Sequence, residues 1–179
     1  AEIATSLSNY FKSQGLALEE NDAIRLLSFM SYSHLLFISG FTYAEDKNKF
    51  LSVLTSFFDS EYQLLGSDIG LDDYYNECIK LNDAEPVKPA FIAIDDSSTG
   101  AFNTELKPLI TLLNDFSSPH YLSENNSSVA LPPNVYHIVF INELDTGLEG
   151  NSEVTRLSSI FSISVPANEA AGKAETYPI

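Results

Sequence analysis

An α/β domain built around a mostly parallel sheet is predicted by three observations. Helix-like and strand-like stretches alternate along the 179 residues. Two apolar runs, Ala90-Phe91-Ile92-Ala93-Ile94 and Val135-Tyr136-His137-Ile138-Val139-Phe140-Ile141, lack the strict alternation of a half-exposed strand, so each reads as buried on both faces. Both runs end in polar residues, Asp95-Asp96 and Asn142, which fits strand ends at a ligand crevice.

The elements follow in order. Residues 3–12 and 20–31 have helical spacing; in the second, Ile24, Leu27 and Met30 fall on one face, and Asn21 or Asp22 is the expected N-cap. Leu35–Ser39 is a short buried strand, and Gly40 opens a polar loop. Helical spacing returns over 48–58, followed by a strand at Tyr62–Leu65 and a helix at Asp72–Leu81. Asn82–Pro89 is a polar loop with two prolines that leads into the strand at 90–94.

Thr104–Asn114 reads as a helix, with Asn103 or Thr104 as cap and Pro108 near its start, where a missing N–H costs least. Ser117–Ser128 is an exposed loop before the strand at 135–141. A short helix over Ser152–Ser158 and a last strand over Ile160–Val165 complete the pattern. One domain over 1–166 and a frayed tail over 167–179 are expected, with no internal repeat.

Composition limits the function. Twenty-five acidic residues against nine basic ones give a net charge of −16, and no Lys or Arg lies between Lys107 and Arg156. Phosphate backbones need cationic partners, so direct nucleic-acid binding is not expected. The acidity reads as a solubility charge or as a face for a basic protein partner. No apolar run reaches the roughly 18 residues of a membrane helix. The first residues lack a basic-then-apolar leader pattern, and the single cysteine, Cys78, cannot form an internal disulfide. A cytoplasmic protein without membrane association is therefore expected.

The candidate site lies after Gly40. Strand, Gly-containing loop and helix have the layout of a phosphate-binding loop, in which a Lys reaches the phosphate oxygens and a Ser or Thr binds Mg²⁺. Here the loop reads Gly40-Phe41-Thr42-Tyr43-Ala44-Glu45-Asp46-Lys47-Asn48. Counted from Gly40, Glu45 stands at the second glycine, Asp46 at the lysine and Lys47 at the hydroxyl residue. Lys47 serves as a substitute cation with a one-residue slip, which leaves Asn48 as a poor Mg²⁺ ligand. Taken alone, these residues favour an ordinary βα turn.

Asp95-Asp96 can hold Mg²⁺ and orient water, or form a solvated turn. Asn142 can orient water beside a phosphate, although an Asn there is more often a turn former. Arg156 reads as a surface ion pair or as an arginine donated to a neighbour. His34, His120 and His137 have no metal-ligand spacing, and His137 reads as a satisfied core or edge histidine.

Together these segments resemble one family. From Asp22 to Pro166 the chain is similar to the large α/β subdomain of an AAA+ P-loop NTPase, nearest the McrB-like and dynein-related branch. The strand ending Asp95-Asp96, with the helix ending Thr111-Leu112-Leu113-Asn114, resembles that branch's Walker B strand and the helix after it. LPPNVYHIVFINELDTG resembles the strand carrying the sensor Asn, which falls on Asn142. Glu153-Val154-Thr155-Arg156 before SSIFSISVP resembles the segment with the finger arginine, and SDIGLDDYYN the stretch before Walker B.

The resemblance implies a three-layer, five-stranded parallel sheet without the helical lid that normally follows. It places vestigial catalytic positions at Asp95, Asp96, Asn142 and Arg156, a weak Mg²⁺ ligand at Asp95, and weak nucleotide contacts at Gly40 and Lys47. The Walker A residues are replaced and the Walker B glutamate is Asp96. The implied protein is a pseudoenzyme that acts through a protein partner or self-assembly without a bound cofactor. The alternative is an active Mg-ATP or Mg-GTP hydrolase with an atypical phosphate loop.

Overall fold

The computed structural model describes residues 2–39, 41, 43–66, 68–82, 88–95, 119–122, 125, 127–141 and 162–164. Helices α1 (Glu2–Ser13) and α2 (Glu20–Tyr32) precede β1 (Leu35–Ser39), α3 (Ala44–Phe58), β2 (Glu61–Gly66), α4 (Leu71–Leu81) and β3 (Ala90–Asp95). Then follow β4 (His120–Leu122), β5 (Ser128–Ala130), β6 (Val135–Phe140) and β7 (Ser162–Ser164). The fold is α/β with a parallel sheet, as expected. β2, β3, β6 and β1 lie side by side in that order, and the short β7 pairs with the outer side of β1.

Burial on both faces explains the two apolar runs. From β3, Phe91 and Ala93 point to one core and Ala90, Ile92 and Ile94 to the other. From β6, Ile138 and Phe140 join the first core, and Val135 and Val139 the second. The first core is covered by α1, α2 and α3, and the second by α4 with Tyr121 and Leu131. No described helix is long and apolar enough to cross a membrane.

Several elements depart from expectation. In α2 the fully buried residues are Ala23, Leu26 and Phe29, whereas Ile24 is 44% exposed. Both sets recur every third residue; the inward set is the one whose Phe29 meets Tyr136 of β6 edge-on at 5.7 Å. Glu19, not Asn21 or Asp22, holds the N-cap, without a side-chain bond. Asp22 instead lies within the first turn, where burial raises its carboxyl pKa against the nearby Arg25.

Helix α3 starts four residues before the expected Asn48. Ala44 is a strong helix former, and Glu45 and Asp46 suit the positive end of the helix dipole, so the polar run is its first turn. The stretch 117–128 is not merely a loop: β4 and β5 pair antiparallel across it, with Tyr121 3% exposed beneath. The helices expected at 104–114 and 152–158, the 166 boundary and the tail lie outside the described residues.

His137 is a core residue on a central strand, not an edge one, and is wholly buried. Its Nδ1 lies 2.7 Å from the Tyr74 hydroxyl of α4. Its Nε2 has no hydrogen-bond partner, so the histidine is only half satisfied. Burial, helped by His34, lowers its pKa to about 3, and burial raises that of the Tyr74 hydroxyl. The fold therefore holds a neutral imidazole, whereas the unfolded chain takes up a proton below about pH 6.5. Stability is unaffected above that value and falls as pH drops from about 6.5 toward 3, by at most ~1.4 kcal/mol per unit. Urea unfolding at stepped pH checks this: His137→Gln should lack that part of the acid slope. Parallel wild-type and variant curves would exclude it.

Candidate functional site

The carboxyl ends of β1, β3 and β6 lie on one edge of the sheet, because all three run parallel in register. Ile38 is level with Phe140, and Phe140 with Asp95. Beyond Phe140, the Ile141 amide still bonds the Ile38 carbonyl at 2.9 Å. Asp95 closes β3 at this edge and follows the alternation of Phe91 and Ala93, toward the α3 side.

Residues 40–43 carry the chain from β1 to α3. Within this link Phe41 is 4% exposed and packs against Phe50 and Phe140, with ring centroids 5.4 and 5.7 Å apart. An aromatic anchor thus pins the connection where a phosphate loop keeps an open backbone. Tyr43 is extended as the N-cap, and its carbonyl accepts the amides of Asp46 and Lys47.

The first turn of α3 delivers Lys47 inward. Its side chain is 1% exposed, and its Nζ donates to Asp95 Oδ1 at 2.8 Å. An ammonium removed from water must meet an anion, and the strand-end carboxylate is that anion. The Asp95 side chain is 27% exposed, so the pair is open to solvent on the acid's side.

The flanking residues have other roles. Glu45 is exposed, and Asp46 is half-buried with an Oδ2 that finds no hydrogen-bond partner. Asn48 accepts a bond from the Tyr62 hydroxyl at 3.1 Å and donates to the Ala44 carbonyl, tying α3 to β2. It is therefore a structural side chain at the position following Lys47.

Of the sequence-predicted site residues, the fold brings together Lys47 and Asp95. Gly40, Asp96, Asn142 and Arg156 lie outside the described residues. Among the described residues, no group of three or more His, Cys, Asp and Glu side chains could hold a metal ion. Sequence reasoning missed the direct Lys47–Asp95 contact and the inward Phe41. The available signal was the combination of a lysine in the first turn of the helix after β1 and an acid ending a doubly buried strand. No model of a known protein family and no curated protein matches the chain.

Removing the two partners should have unequal effects. Asp95→Ala takes the carboxylate at 2.8 Å away from a buried ammonium and is expected to cost about 3 kcal/mol. Lys47→Met keeps the volume and leaves a carboxylate that reaches water, so about 1 kcal/mol is expected. Chemical denaturation of both variants gives the comparison; equal losses would mean that the ammonium is not effectively desolvated.

Proposed function

We propose that the chain is a degenerate AAA+-like domain of the McrB-like branch, which does not hydrolyse nucleotide and works through protein–protein contacts in a larger assembly. The observation that carries this reading is the pairing of Lys47, from the first turn after β1, with the β3-terminal Asp95 at the carboxyl edge of a parallel sheet. A lysine early in that helix and an acid ending a parallel strand of the same sheet are the groups a P-loop site uses for phosphate and Mg²⁺. Here each neutralises the other, and Glu45 and Asp46 add negative charge beside them.

A polyphosphate entering this site meets like charges. One such contact near 4 Å costs roughly 4 kcal/mol at an effective dielectric of about 20, close to three decades of affinity. No resident cofactor is part of this reading, and the setting proposed is cytoplasmic. Calorimetric titration with Mg-ATP and with Mg-GTP is expected to give no micromolar binding. The same lysine favours a second reading, an active Mg-ATP or Mg-GTP hydrolase with an atypical loop. Micromolar binding, lost in Lys47→Ala, would establish that one instead.

The contact surface proposed surrounds Asp95, Asn142 and Arg156. In AAA+ rings the matching edge faces the neighbouring subunit. Arg156 then pairs with an acidic group of a second copy, in a chain rich in such groups. Light scattering should show assembly that weakens with added salt and with Arg156→Ala. A monomer at every salt concentration would leave a different protein as the partner.

A further inference from the structure

We infer that the outer edge of β2 docks an extended, basic segment of another protein, which joins the sheet as a further strand. This surface is separate from the one around Asp95, Asn142 and Arg156, and the inference does not rest on the nucleotide question. The first observation is the edge itself. Among the described residues β2 is an outer strand of the sheet and pairs only with β3, residue for residue from Glu61 with Ala90 to Gly66 with Asp95. Every second residue of such a strand turns its N–H and C=O away from the sheet. Outer strands are commonly blunted by a proline, a bulge or an inward charge. β2 has an unbroken six-residue ladder and none of these.

The second observation is an apolar ledge on the α3 side of this edge. Tyr62 and Leu64 are only half-buried against the first core, and so are Phe57 and Phe58 at the end of α3. The Tyr62 hydroxyl is held by Asn48 at 3.1 Å, which fixes the ring in place. A strand added outside β2 brings alternate side chains onto that face.

Charge selects the occupant. Glu61 is exposed and opens the strand. At the other end Asp68 is exposed, and its Oδ1 lies 2.9 Å from where a Cβ on Gly66 would stand. Among the described residues neither acid is in an ion pair. A second copy fits poorly: each chain carries −16, and antiparallel self-pairing centred on β2 sets Asp59 opposite Asp68. Parallel self-pairing in register sets Glu61 beside Glu61. The two acids stand at the ends of a strand roughly 17 Å long, so they fit cations about six residues apart with apolar residues alternating between them.

Fluorescence anisotropy on the whole chain tests this with a labelled, end-capped heptapeptide, Lys-Val-Thr-Val-Thr-Val-Lys. One derivative is N-methylated at its three Val residues and another at its two Thr residues; charges and side chains stay the same. An added strand has one paired edge and one free edge. The parent peptide is therefore expected to bind and to slow amide exchange in residues 61–66. One derivative should bind at least about tenfold more weakly, and the other should match the parent. Glu61→Lys/Asp68→Lys should weaken the parent peptide by a similar factor; if that variant does not fold, the methylated pair on wild type decides alone. No binding, an equal effect of both methylations, protection of another element instead of β2, or undiminished binding by the folded variant would overturn the inference. A dimer of the chain alone with protected β2 amides would assign the edge to a second copy and overturn it as well.

Discussion

The structure depends on one constraint: β6 lies between β3 and β1 with both faces away from water. A strand so placed has little room for solvated side chains, so Val135, Ile138, Val139 and Phe140 are all buried and Tyr136 is partly so. Its neighbours inherit the restriction, which is why β3 and the buried part of β1 are equally apolar. Polar chemistry is thereby pushed to the strand ends. His137 is the exception, and it is tolerated because α4 brings the Tyr74 hydroxyl to its ring. Cys78, one helical turn beyond Tyr74, faces the same dry layer, and burial raises its thiol pKa well above the usual range.

Charge is distributed by the same logic. Among the described residues one basic side chain, Lys47, is buried, at the edge where the strands end. The other described ion pairs are of a different kind. Lys88 bridges to Asp59, which is 91% exposed and sits left-handed (φ 51°) at the end of α3. Lys80 and Arg25 pair within their own helices. Such exposed pairs contribute little. The buried pair differs because desolvation forces its partners to stay together.

What was legible in the sequence was whatever depends on local pattern. Residues 90–94 and 135–141 read as doubly buried strands because no polar alternation interrupts them. The phase of α2 did not: Ile24, Leu27 and Met30 have the same spacing as the inward set, and packing against Tyr136 made the choice. The β4–β5 hairpin was hidden because its strands are three residues long and sit in a polar stretch, with Tyr121 as the buried clue. The start of α3 was misplaced because charged residues were counted as loop rather than as a first turn. The Lys47–Asp95 contact joins residues 48 positions apart, and no local period encodes it.

The strand order also dictates when the molecule can be assembled. Leu35 is level with His137, and the far side of β1 pairs with Ser162–Ser164. Everything that flanks β1 in the sheet is thus synthesised roughly a hundred residues later, at a large cost in loop closure. During translation α1, α2 and β1 emerge with Leu36, Phe37 and Ile38 lacking strand neighbours. β2 and β3, with α4 between them, can pair much sooner. β1 is therefore the strand of the described sheet that waits longest in the chain for its partners.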